Sequence, residues 1–239
     1  MFFQFFFISV PNFLLVTTGS NPNYLSNTEI LKLDNNVGQP PQYENHSMEI
    51  DGATGGLLGT QLITCGGYDG NDEISRCYKL GSSGTFATMN RERDYPASIV
   101  LTDKLWILGG QNNGGNRILF STEYIFSDGR TENGPEMPTA LTRHAAVKIN
   151  QSTSLLAGGN EFIRDTYWFY NGNFTKGPSL LKRRRSLSLG IVRDSETLLE
   201  YVVATGGYDG NYLSDVEILN GTSWKAGKLL KLKQNITLF

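Results

Sequence analysis

Hydrophobic and polar positions alternate with period two along most of the chain. Short alternating runs such as YPASIVL, RHAAVKI and RRSLSLGI lead into unbroken apolar runs that end in glycine: LITCGG, LWILGG, LLAGG and VVATGG. A polar loop follows, then a third run (SRCYKL, STEYIF, DTYWFY, DVEIL), a turn (SSG, DG, NGN, NG) and a short fourth run (TFATM, FTKGP, SWKAG). Period-two alternation with β-branched and aromatic enrichment predicts strands. The Gly, Asn, Asp and Ser clusters between runs are turn chemistry. No segment carries an apolar stripe at helical spacing.

The pattern repeats. NYLSNTEIL at 23–31 and NYLSDVEIL at 211–219 match at seven of nine positions, 188 residues apart. The apolar runs end at Gly19, Gly67, Gly110, Gly159 and Gly207, in steps of 48, 43, 49 and 48. The nonapeptides are therefore the first and fifth copies of one repeat. A period in this range marks a solenoid, propeller or array. Four short strands per repeat predict one antiparallel sheet, a propeller blade. The paired glycines at 66–67, 109–110, 158–159 and 206–207, with Thr18-Gly19 at the matching place, end the second strand. A side chain there is expected to strike the neighbouring blade, and the loop beyond needs positive φ.

These features resemble the kelch repeat family, in which a strand ending in GG precedes a Tyr-centred strand and then a Trp. Tyr78, Phe126, Phe169 and Leu219 occupy the Tyr slot, and Trp224, Phe174 and Phe86 the Trp slot. The repeat beginning near Tyr24 lacks both aromatics. The resemblance implies an all-β fold: a kelch-type β-propeller of four-stranded antiparallel blades, about five of them, in one domain over 1–239. Kelch rings more often have six or seven blades, which points to a fragment or a divergent, partial ring.

The termini compete for one strand position. MFFQFFFISVPNFLLV is short for a membrane span, which needs about 20 apolar residues. Residues 1–12 read either as a signal segment or as the first strand of the first blade. KLLKLKQNITLF at 228–239 parallels SLLKRRRSLSLG and reads as another first strand.

Composition changes this picture little. The net charge of −2 leaves no nucleic-acid footprint. The basic run KRRRS at 182–186 reads as a solvated loop, and Asp72–Glu73 as solvated loop charges. Cys65 and Cys77 flank the loop of one blade on adjacent strands, within reach of a disulfide; in a reducing compartment they are buried thiols. Sequons occur at Asn45, Asn150, Asn173, Asn220 and Asn235. Asn150, Asn173 and Asn220 fall on turns that share one face, and are the candidate glycosylation sites. With the cysteines and the N-terminus they favour a secreted or extracellular setting over a cytoplasmic one.

Enzymatic chemistry finds no footing. The chain has two histidines, His46 and His144, and no metal-ligand constellation, nucleophile elbow or phosphate loop. No cofactor or metal is expected, and no small-molecule ligand. A galactose-oxidase-like enzyme is the alternative, although its copper ligands are not visible. The leading reading is a non-enzymatic interaction module for a protein or peptide partner. A second alternative is the recognition part of a cullin ubiquitin-ligase adaptor, whose BTB and BACK domains are missing here. Second-to-third strand loops and blade-to-blade connections share one face in an up-and-down blade, and loops on a rigid scaffold carry recognition. That face is expected to hold Tyr68, Gln111, Asn112, Asn113, Asn160 and Tyr208 after the glycines, and Tyr95, Arg143 and Arg185 before the first strands.

Overall fold

The computed structural model describes residues 49–160, 163–194 and 197–227 in full, and the backbone of 6–10, 13–21 and 23–32. The C-terminal segment 228–239, with Asn235, and residues 33–48, with Asn45 and His46, lie outside the described residues. The chain divides into two compact units, residues 1–142 and 143–239.

In the first unit, β1 (Phe6–Val10), β2 (Phe13–Asn21) and β3 (Asn23–Lys32) form a sheet in that order. The N-terminal run thus occupies a first-strand position, pairing Phe6 with Thr17 through Val10 with Phe13. The second sheet is β4 (Thr54–Leu58), β5 (Gln61–Cys65), β6 (Arg76–Lys79) and β7 (Thr85–Thr88). The third is β8 (Ala97–Val100), β9 (Lys104–Leu108), β12 (Thr122–Phe126) and β13 (Thr131–Asn133); its loop holds a small hairpin, β10 (Gln111–Asn112) and β11 (Arg117–Ile118).

In the second unit, β14 (Ala145–Lys148), β15 (Thr153–Ala157), β16 (Thr166–Tyr170) and β17 (Asn173–Lys176) form the fourth sheet. The fifth is β18 (Ser188–Arg193), β19 (Glu200–Thr205), β20 (Val216–Asn220) and β21 (Ser223–Gly227). Sheets two to five are four-stranded, antiparallel and ordered as the chain runs, and the described residues contain no helix.

Burial explains the apolar runs. The second strands β9 and β15 are covered on both faces, so they read as continuous hydrophobic sequence. The fourth strands β13 and β17 are largely exposed. Leu58, Ile63, Cys65, Cys77, Ala87 and Met89 of the second repeat pack with Leu105, Ile107 and Ile125 of the third. Leu155, Ala157 and Leu180 pack with Leu187, Val202, Ala204, Leu219 and Trp224 in the second unit.

The glycines sit where expected. A Cβ on Gly66 would strike the Arg93 carbonyl oxygen, and one on Gly67 would lie 2.5 Å from the Asp51 carbonyl oxygen; φ is +68° and +97°. The N–H of the second glycine donates to the repeat that follows: Gly67 to Arg93 O (2.7 Å), Gly110 to Leu141 O (2.8 Å) and Gly159 to Arg184 O (2.8 Å).

Register corrects the Tyr slot. Tyr78 pairs with Thr64, Glu123 with Ile107, Tyr167 with Leu156 and Glu217 with Ala204, each opposite the residue two before the glycines. Phe126, Phe169 and Leu219 lie further along the strand and are not equivalent to Tyr78. On the fourth strands, Phe174 faces Phe169 and Trp224 faces Leu219, whereas Phe86 falls at the bulge opposite Cys77 and Tyr78 and is not equivalent to them.

Candidate functional site

Beyond the glycine pairs at 66–67, 109–110 and 206–207 the chain makes a further short bridge. Tyr68 exchanges backbone hydrogen bonds with Asp51, Gln111 with Asp94, and Tyr208 with Arg185. The next position adopts left-handed backbone in every described case: Gly52 (φ +67°), Tyr95 (+52°), Arg143 (+57°) and Ser186 (+53°). Tyr95 N–H then donates to Gly52 O and Ser186 N–H to Arg143 O, linking successive repeats. Tyr95 and Arg143 are thus equivalent, whereas Arg185 sits one place earlier, opposite Tyr208. Two more candidates, Asn113 and Asn160, are also left-handed, at +55° and +50°.

In the first unit this row brings together Asp51, Tyr95, Asp94 and Gln111. Tyr95 Oη donates to Asp51 Oδ2 (2.8 Å), Gln111 Nε2 to Asp94 Oδ2 (3.3 Å), and Thr142 Oγ1 to Gln111 Oε1 (3.3 Å). Glu73 is not a free loop charge: its carboxylate accepts from Gly114 N–H (2.8 Å) and ties the neighbouring hairpin, which bears Asn112 and Asn113, to the loop of Tyr68. In the second unit the Arg185 guanidinium lies 5.0 Å from the Tyr208 ring centre, and Tyr208 meets Tyr212 edge-on at 5.4 Å. Tyr212 is 64% exposed. Asn160 and Arg143 are partly buried in the same row of loops.

Sequence reasoning missed the two acids, Asp51 and Asp94, and misread the basic run. Arg184 is fully buried. Its Nε donates to Glu217 Oε1 (2.9 Å), its Nη1 to Gly206 O (2.6 Å), and its Nη2 lies 3.1 Å from Asp215 Oδ1. Lys182 pairs with Asp215 at 3.0 Å. The run is therefore an internal strut flanked by exposed cations rather than a solvated loop. Arg93 repeats the device: Nη2 and Nε donate to Glu123 Oε1 (2.8 and 3.2 Å) and Nη1 to Gly109 O (2.7 Å) and Ser121 O (2.9 Å). Burial lowers the Arg93 pKa, and hydrogen bonding to Glu123 opposes that shift. The signal was present: an arginine four residues before the first strand and a glutamate second in TEYIF and VEILN.

Cys65 and Cys77 are directly opposite and form a disulfide. Asn150 lies in the β14–β15 turn, Asn173 opens β17 and Asn220 closes β20; all three are exposed. No protein-family model matches the chain, and no curated protein does either. No helix among the described residues is long and apolar enough to cross a membrane.

Proposed function

We propose that the chain is a kelch-type β-propeller, whole or partial, that serves as a non-enzymatic interaction module. It takes a protein or peptide partner on the face made by its second-to-third strand loops and repeat-to-repeat connections. One observation carries this reading. The left-handed position accepts glycine, as Gly52 demonstrates, yet other repeats place Tyr95 and Arg143 there. A side chain in such a conformation costs on the order of 1 kcal/mol or more. Tyr95 offsets its cost locally through Asp51. The Arg143 carbonyl accepts from the N–H of Ser186, the residue after Arg185, and guanidinium with tyrosine is the usual composition of an interface anchor.

The partner is an extended segment with acidic side chains, which the arginines pair and the tyrosines cover. The disulfide and the exposed sequons support a secreted setting. Selection of random displayed peptides on the full chain tests the proposal. Enriched peptides are expected to be rich in Asp and Glu and to weaken about tenfold or more when Arg143→Gly, Arg185→Ala and Tyr208→Ala are combined. Gly at 143 preserves the left-handed backbone. Gln151→Ala with Thr222→Ala, on the opposite turns, is expected to change nothing. Peptides that ignore the first variant and depend on the second would place binding on the other face.

A further inference from the structure

At the opposite end of the second unit lies an open pocket of about 330 Å³, lined by Lys148, Ile149, Asn150, Gln151, Ile191 and Glu200. Leu198 and Leu199, the two residues before Glu200, are 60% and 56% exposed. Exposed apolar side chains beside a cavity call for a cover.

The cavity's own wall contains an acceptor sequence for one, Asn150-Gln151-Ser152. The Asn150 side chain is also held in place. Its Oδ1 accepts from Ser152 N (3.0 Å), Ser152 Oγ (3.1 Å) and Thr153 N (2.9 Å), whereas its Nδ2 donates to nothing among the described residues. Asn173 differs: its Nδ2 donates to Asn171 O (3.3 Å).

We infer that Asn150 carries an N-linked glycan whose first sugar covers this cavity. The apolar face of an N-acetylhexosamine fits over Ile149 and Ile191, while Lys148 and Glu200 offer a donor and an acceptor to its hydroxyls. Attachment occurs on the nascent chain and uses a polyprenyl-pyrophosphate oligosaccharide as donor. Asn150 Nδ2 bonds to the anomeric carbon as the bond from that carbon to the pyrophosphate oxygen breaks. The lipid pyrophosphate leaves with the electron pair, and the amide proton passes to a base of the transferase. The fold then decides where the sugar at Asn150 rests.

The test is secretion of the full chain from a eukaryotic host, with glycopeptide mass spectrometry and binding of an apolar fluorescent dye. Occupied Asn150 is expected. Trimming every glycan to its first sugar should leave dye binding unchanged, and complete removal should raise it about two-fold or more. Ser152→Ala keeps Asn150 and its backbone-held turn but abolishes the acceptor sequence; it should show the raised dye binding without any enzyme. Thr175→Ala and Thr222→Ala, which remove the other two acceptor sequences, should not. An unmodified Asn150 in the secreted chain, or dye binding indifferent to the sugar there, overturns the inference.

Discussion

The second and third sheets solve one packing problem in two ways. In the third, the position four residues before the first strand is Arg93 and its counterpart on β12 is Glu123, side chains 0% and 1% exposed. In the second, the same two positions are Ile50 and Tyr78, which pack together with Ile74. The other described repeats follow suit: Arg184 goes with Glu217, and Leu141 and Tyr167 occupy the corresponding positions. The position wants a long side chain that closes the end of the sheet. Charge is optional, provided that both members agree. A buried ion pair contributes little net stability over an apolar pair but loses heavily when one partner goes.

The sharpest way to break the comparison is Glu123→Ala. It leaves the Arg93 guanidinium buried with only carbonyl and hydroxyl acceptors. A loss of about 3–5 kcal/mol is expected in urea denaturation. Arg93→Ile combined with Glu123→Tyr imports the second sheet's solution, and should recover at least half of that loss; no recovery would mean that the two pairs are not interchangeable. Next in size is the disulfide, which only the second sheet has. Cys65→Ala with Cys77→Ala should cost roughly 2–4 kcal/mol under oxidising conditions.

Gly67→Val should cost about 1–3 kcal/mol, read as a lower denaturation midpoint, because φ is +97° and the Asp51 carbonyl is in the way. The smallest effect at neutral pH belongs to His144. It takes a position that is Pro96 in the third repeat and Leu187 in the fifth. It is buried, neither ring nitrogen has a hydrogen-bond partner among the described residues, and burial lowers its pKa to about 3. The unfolded chain binds a proton near pH 6.5 and the folded chain only near pH 3, so stability is full above 6.5 and falls as pH drops between those values. Melting at pH 7 and pH 4.5 should show a smaller acid loss for His144→Leu than for the parent.

Sheets, turns and glycines were legible because each has a local signature: period two, turn residues, positive φ. The Arg–Glu struts were not, since a basic run looks the same in sequence whether it is solvated or buried, and aligning repeats on aromatics hid the glutamates. The twin nonapeptides show the limit of local reading. At 211–215 the chain is loop, with Tyr212 bridged to Tyr208, and strand begins at Val216; at 23–32 the whole copy is strand. The fifth repeat turns at Gly206-Gly207, both left-handed. The first repeat has Thr18 in place of one glycine, and its second strand runs on through Gly19 with only a bulge between Thr17 and Gly19. The same residues thus take two conformations beside two different strand ends.

The hydrogen bonds from Gly67 to Arg93, Gly110 to Leu141 and Gly159 to Arg184 join main chain to main chain. A seam of that kind recognises no side chain except the glycine itself. A gene duplication that adds one more copy therefore inherits a working joint at once, and each copy is afterwards free to drift. That accounts for repeats in which one copy holds a disulfide, the next a buried ion pair and another an acceptor sequence for sugar, while the spacing of the glycines stays within 43 to 49 residues.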